Sequence, residues 1–418
     1  MARYHIETYG CTSNRGESRQ IERALRDGGH SPASGPTDAD VAILNTCTVV
    51  EKTERNMLAR AQELDDETPA DLVITGCMAL AQGETFHEAG VDAEVLHWDE
   101  VPEHVRNGEC PTTTPDAEPI LDGVVGILPI ARGCMSDCSY CITKQATGKI
   151  DSPPIQENVD KARALVHAGA TELRITGQDT GVYGWDDGDR RLHRLLDRIC
   201  TEIDGEFRVR VGMANPKGVH GIREELAAVF AEHDELYNFL HVPVQSGSDD
   251  VLGDMRRQHQ VSEFLEVVEA FDDALGEWTL STDFICGFPT ETDADHEQSM
   301  ALLREVRPEK VNVTRFSKRP GTDAADMKGL GGTVKKERSK EMSEVKRDLV
   351  GNVYEEMVGE TQEVLVVEQG TADSVKCRDG AYRQIIVQNA GERGIEPGDW
   401  LTVEVTGHQT MYAFGEPV

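Results

Sequence analysis

The chain has 418 residues, enough for two or three domains with sizeable cores. Its 76 acidic against 42 basic residues give a formal net charge of −34 and a pI near 4.7, which as a functional charge would exclude nucleic acid as partner. The acids are spread over every segment, however, and lysine is scarce at 13 against 29 arginines, so the charge reads as solubility in high salt, that of a halophilic protein.

No apolar run approaches the roughly 18 residues of a membrane span, and no charged-then-apolar leader precedes Cys11. A cytoplasmic protein is expected. In such a reducing compartment, its ten cysteines are metal ligands sooner than disulfides.

Residues 1–106 read as a small α/β domain. Apolar strand segments at Tyr4–Thr8, Val41–Asn45, Leu72–Thr75 and Ala93–Leu96 alternate with helical patterns at Ser18–Asp27 and Val50–Asp66. That alternation predicts a doubly wound parallel sheet. Cys11, Cys47 and Cys77 each follow one of the first three strands. In an open parallel sheet the carboxyl ends of the strands face one crevice, so three cysteines distant in sequence converge there. Residues 107–123 are polar and rich in Pro and Thr, which makes them a linker with an incidental thiol at Cys110.

From 124 to 332 the βα alternation resumes. Strands are expected at Gly126–Ala131, Glu172–Thr176, Arg208–Gly212, Phe239–Val244, Thr279–Ile285 and Lys310–Phe316. Six such units suit a partial (βα)6 barrel with its chemistry at the carboxyl rim. Directly after the first of them comes Arg132-Gly133-Cys134-Met135-Ser136-Asp137-Cys138-Ser139-Tyr140-Cys141. Three thiols at C-x3-C-x2-C spacing on one loop make a metal site. A structural zinc site closes with four ligands, whereas a 4Fe–4S cluster on three thiolates keeps one iron open. Other rim segments are glycine-rich and polar: Gly177-Gln178-Asp179, Asn215 before Pro216, and Gln245-Ser246. Their types suit an amino, carboxylate or ribose group, though ordinary βα turns look the same. Cys200, Cys286 and Cys377 lack cysteine partners at ligand spacing and read as core or surface thiols.

Residues 333–356 form one long charged helix carrying Lys335, Lys336 and Arg338, either a solvated connector or a basic contact surface. Residues 357–418, with short alternating runs at Glu363–Val367, Gln384–Val387 and Trp400–Val405, predict a small β-barrel.

Taken together, the chain resembles the radical-SAM methylthiotransferases over its full length. The resemblance rests on Gly10-Cys11 with Asn14, Asn45-Thr46-Cys47 with Val49, and Gly76-Cys77-Met78. It extends through the Cys134 loop, the run His241 to Ser248, the run Thr282 to Pro289, and Phe316-Ser317-Lys318-Arg319-Pro320-Gly321-Thr322. Glu17 and Thr290 depart from the family's usual aspartate and glycine, and neither is a cluster ligand. The resemblance implies two 4Fe–4S clusters: one on Cys134, Cys138 and Cys141 that binds S-adenosylmethionine, and an auxiliary one on Cys11, Cys47 and Cys77 that presents sulfur. It also implies S-adenosylmethionine contacts from Gly177, Gln178, Asp179, Asn215, Gln245 and Ser246, and a C-terminal barrel similar to the RNA-binding TRAM domain.

The run Gly177 to Gly184, with Gly212 to Pro216, looks most like the branch acting on N6-threonylcarbamoyladenosine in the anticodon stem-loop of tRNA. Isopentenyladenosine, a ribosomal-protein aspartate and a non-catalytic iron–sulfur RNA-binding protein stay open as alternatives. Phosphate contacts are expected from Arg378, Arg383, Lys335, Lys336 and Arg338. Against them, residues 357–418 carry four basic residues and ten acids, which weakens any electrostatic grip on RNA.

Overall fold

The computed structural model describes residues 1–48, 51–105 and 118–418. Most of the expected linker, with Cys110, lies outside the described residues, as do Val49 and Val50.

In the N-terminal region β1 (Arg3–Thr8), β2 (Ser31–Pro32), β3 (Val41–Thr46), β4 (Asp71–Thr75) and β5 (Glu94–Val95) form one parallel sheet of order β2-β1-β3-β4-β5. Alternate side chains of the sheet serve opposite layers. Ala42, Leu44, Leu72 and Ile74 pack with Met57, Leu64 and Phe86, while Val41, Ile43 and Val73 pack with Ile21, Leu25 and Val101. Both faces are covered, which is why β3 is buried along its whole length. The first helix starts at Thr12, six residues before the apolar periodicity begins at Ser18. Its opening turn is polar because it is spent on the crevice instead of the core.

The central region carries β6 (Val125–Pro129), β7 (Glu172–Thr176), β8 (Arg208–Arg210), β9 (Phe239–His241), β10 (Thr279–Cys286) and β11 (Lys310–Arg315). They form two parallel triplets, β6-β7-β8 and β9-β10-β11. Backbone bonds join the triplets: Val209 N–H to Glu235 O (2.7 Å), Tyr237 N–H to Val209 O (3.0 Å) and Ala214 N–H to His241 O (2.9 Å). The six strands thus make a partial barrel. Outward residues such as Leu173, Ile175, Val209 and Val311 are buried under the surrounding helices.

Helix Gly332–Glu356 is no free connector. Met342 joins the central core, and Val350 and Tyr354 enter the C-terminal core. There β12 (Thr361–Gln369), β13 (Ser374–Arg378), β14 (Gln384–Gln388), β15 (Trp400–Gln409) and β16 (Tyr412–Pro417) close a barrel of order β12-β13-β14-β16-β15. β13 and β16 were not expected from the sequence; both are short and interrupted by charged or glycine residues. No described helix is long and apolar enough to cross a membrane.

The first two regions meet along helix Thr12–Asp27, which lies on β6. Gly16 allows this contact, since a Cβ there would stand 2.9 Å from the Ile127 side chain. Arg19 pairs with Asp122 at 2.9 Å, and Ser13 Oγ meets Thr176 Oγ1 at 2.7 Å.

Candidate active site at the domain junction

The ends of β1, β3 and β4 are tied by a buried polar ladder. Asn14, one turn past Cys11, donates from Nδ2 to Asn45 Oδ1 (3.0 Å) and Thr46 O (3.1 Å). Asn45 Nδ2 returns bonds to Asn14 O and Ser18 Oγ. Thr46 Oγ1 donates to Thr75 O (2.6 Å) and accepts from Ala79 N–H (3.2 Å). Two left-handed glycines complete the crevice. A Cβ on Gly10 (φ +124°) would stand 2.9 Å from Cys47 Cβ, and one on Gly76 (φ +88°) 2.4 Å from Thr46 O. Cys11, Cys47 and Cys77 are therefore brought to one place. Burial, then Glu17, Cys11 and Cys47, push the Cys77 thiol far up. Burial also raises Glu17, to about 7. Crowded thiols kept neutral beside an acid want a cation, so the set fits an iron cluster.

The second set follows β6 at the carboxyl rim, on one loop. Arg132 and Asp151 exchange backbone bonds (3.0 and 2.8 Å), and Cys134 N–H reaches Gly148 O (3.3 Å). Gly133 is required: at φ +77° a Cβ would lie 2.0 Å from Lys149 O. Ser139 fastens the far side, its Oγ donating to Asp254 O (2.8 Å) and its N–H to Met255 O (3.0 Å). Burial pushes the Cys134 and Cys138 thiols up, and the Arg257 guanidinium, with Nη1 3.7 Å from Cys138 Sγ, pulls Cys138 the other way. Three thiols on this scaffold likewise fit a cluster with one open iron.

The rim residues divide. Asp179 is fully buried and accepts from Gly181 N–H (3.1 Å), Asn215 N–H (3.0 Å) and Asn215 Nδ2 (2.7 Å). Burial raises its pKa in spite of these donors. It fastens the β7 turn to the β8 turn, and a ligand cannot reach it. Ser246 is buried too, with Oγ engaged by Ser248 N–H (3.2 Å) and Ser299. Half-buried Gln178 and Gln245 stay accessible. The Asn215 Oδ1 atom is buried without a partner. Gln245 holds φ +76°, which turns the chain at the β9 rim. A Cβ on Gly177 would stand 3.3 Å from Ala131 O, so the glycine lets its strand end pack close against that carbonyl.

The basic residues expected on RNA are mostly committed inside. Arg383 is 5 % exposed and paired to Glu309 (2.8 Å) and Glu277. Arg338 is 7 % exposed and paired to Glu291 and Asp293, both at 2.6 Å. Both expectations are corrected by these acids, which a linear sequence does not place. Lys335 donates to Phe316 O (3.1 Å), and Arg378 lies over the Tyr382 ring at 4.6 Å. Lys336 is exposed.

Two site residues escaped the sequence reading. Arg257, in a stretch with no local pattern, supports Cys138. Arg319 of the Phe316–Thr322 run is 4 % exposed. It crosses to the N-terminal region, meeting Glu54 at 2.7 and 3.2 Å and Thr48 through its carbonyl. Gln82 closes that group, donating to Glu54 Oε1 (2.6 Å) and Thr48 Oγ1 (3.1 Å). The segments after Cys47 and Cys77 and the last barrel loop thus share one knot.

Three family models match: Uncharacterized protein family UPF0004 over residues 3–96, the Radical SAM superfamily over 128–303, and the TRAM domain over 355–418. A protein of Archaeoglobus fulgidus named "Probable threonylcarbamoyladenosine tRNA methylthiotransferase" is 36% identical over 99% of this chain and 98% of its own. The human "Threonylcarbamoyladenosine tRNA methylthiotransferase" is 34% identical over 99% of this chain and 73% of its own. Among solved structures, the radical S-adenosylmethionine methyltransferase TsrM from Kitasatospora setae, with cobalamin and a [4Fe-4S] cluster bound, aligns with a TM-score of 0.56. It covers 78% of this chain and 74% of that one at 14% identity, a likeness of fold alone.

Proposed function

Because the chain belongs to the threonylcarbamoyladenosine tRNA methylthiotransferase family, we propose that it inserts a methylthio group at C2 of N6-threonylcarbamoyladenosine-37, in the anticodon stem-loop of tRNA. One observation carries the reading: two separate three-cysteine sets, each short of a fourth ligand from its own motif, stand on two regions locked across one seam. Its working place is taken to be the cytoplasm of a halophilic cell.

Cys134, Cys138 and Cys141 would hold one 4Fe–4S cluster and Cys11, Cys47 and Cys77 the other. Bound there with S-adenosylmethionine, these groups supply the radical chemistry and the sulfur. The protein's own work is placement. Arg257 keeps a positive charge against Cys138. Asp179 sets the Asn215 turn, leaving Gln178, Asn215 Oδ1 and Gln245 to meet S-adenosylmethionine. The Arg319 knot holds the auxiliary set against the barrel. Lys336 is the candidate RNA contact with no internal side-chain partner among the described residues to give up, and the target base would be flipped out of its stack to reach the seam.

The test is mass spectrometry of tRNA nucleosides from a deletion strain. Loss of the 2-methylthio-threonylcarbamoyl nucleoside is the expected result; its persistence refutes the proposal.

A further inference from the structure

We propose that Arg174, Arg210 and Lys310, in the lower layer of the barrel lumen, bind the threonyl carboxylate of the substrate nucleotide, an inference resting on the function proposed above. Side chains alternate along barrel strands. With Leu173, Ile175, Val209 and Val311 packed outward, Arg174, Arg210 and Lys310 face inward. Arg174 and Arg210 are register partners across β7 and β8, and Lys310 is the partner of Ser281 on β10. One layer above, Asp283 accepts from Asn312 Nδ2 (2.7 Å) and pairs with His241 (2.9 Å). Asn312 is exposed, so the lumen is open to solvent on the β11 side.

The layer is short of acids. Arg174 uses Nε on the fully buried Glu172 (2.5 Å). Arg210 donates to no acceptor among the described residues and lies 5.1 Å from the Phe239 ring, with Nε buried and unpartnered. Among the described residues Lys310 donates only to Tyr382 O (2.6 Å). Arg378 adds a fourth cation from below, its Nε also unpartnered. Asp379 and Glu309 are the other acids near them; Asp379 accepts from the backbone of Ala381 and Arg383, and Glu309 is paired with Arg383. Four cations against three acids, one of which is already spent on Arg383, is a local reversal of sign in a chain of net charge −34. Burial lowers the pKa of Arg210 and Lys310, the direction expected of cations with too few acids beside them.

Threonylcarbamoyladenosine carries a carboxylate at the far end of its substituent, whereas isopentenyladenosine ends in hydrocarbon. Guanidinium forks match a carboxylate, and a cationic floor repels hydrocarbon. Arg174 stands four residues below Gln178 at the rim, about 13 Å along the strand. An arginine side chain and the extended substituent share that distance.

The experiment compares two anticodon stem-loop RNAs, one with threonylcarbamoyladenosine and one with its methyl ester. Wild-type protein, Arg210→Gln and Arg210→Lys are each loaded to equal iron content. Wild type is expected to favour the acid at least tenfold in kcat/KM. The acid-to-ester ratio falls towards one in Arg210→Gln and recovers in part in Arg210→Lys. Equal use of acid and ester by wild type overturns the inference while leaving the proposed function standing. A ratio unchanged in Arg210→Gln does the same. Chloride binding by calorimetry that is lost in Arg210→Gln, without acid preference in wild type, would mean a resident inorganic anion and also overturn it. Modification of an isopentenyladenosine stem-loop, with neither test RNA used, would remove the function and the inference together.

Discussion

The two cysteine sets reach similar chemistry by opposite routes. Cys134, Cys138 and Cys141 lie within eight residues on one loop, whose shape is set by Gly133, the Arg132–Asp151 bridge and the Ser139 anchors. Cys11, Cys47 and Cys77 span 67 residues and meet because three parallel strands end side by side. A loop set survives where its own few residues are right. A strand-end set depends on the whole sheet, on Asn14 and Asn45, and on the knot at Arg319. The open site is local, and the auxiliary site is a property of a fold.

The largest expected effects separate the two sets. Changing any of Cys134, Cys138 or Cys141 to Ala should abolish 5′-deoxyadenosine formation with a reductant and all nucleoside product, while about four of about eight irons remain. The same change at Cys11, Cys47 or Cys77 should leave cleavage of S-adenosylmethionine in place and abolish the methylthio product. If both groups of variants lost cleavage alike, the division of labour would be wrong.

Arg319→Met tests the seam. Breaking a buried pair costs about 3–5 kcal/mol, read in denaturant unfolding, and the N-terminal set should lose iron before the loop set does. Arg319→Lys should restore part of both.

A pH effect should come from the loop side. Burial, then the Arg257 guanidinium, hold His259 at about 3, below its ordinary 6.5. Its neutral form is the folded one. Its contribution is complete above pH 6.5 and is lost as pH falls through 3, by about 5 kcal/mol in all. His259→Gln should flatten unfolding free energy across that window; an unchanged slope would show that His259 is not the titrating group.

The smallest effect belongs to Lys336→Ala. One exposed phosphate contact should lower the slope of log affinity for tRNA against log salt by about one without touching either iron count.

Much of this was legible in the sequence because it is written in short range. The C-x3-C-x2-C loop needs only its own spacing, and strand ends followed by cysteine reveal the second set once a parallel sheet is inferred. Long-range side-chain choices were not legible. Arg383 and Arg338 look like RNA ligands in a list of charges, yet each folds onto acids far away in sequence, Glu309 and Glu291. Asp179 looks like a ligand group at the rim, yet is spent on Asn215. Arg257 and Arg319 act through partners 119 and 265 residues away, which no local pattern encodes.

Tyr382 stands between the Phe239 and Tyr237 rings at 4.9 Å from each, and its neighbour Gly380 accepts a backbone bond from Asn238 (2.8 Å). The C-terminal barrel therefore supplies the stopper of the central one. Exchanging that domain between relatives would exchange the residues that close the central barrel from below. Lineages that diverge in the turn Asp379–Arg383 could then drift in what the enzyme accepts without a single change in the catalytic domain.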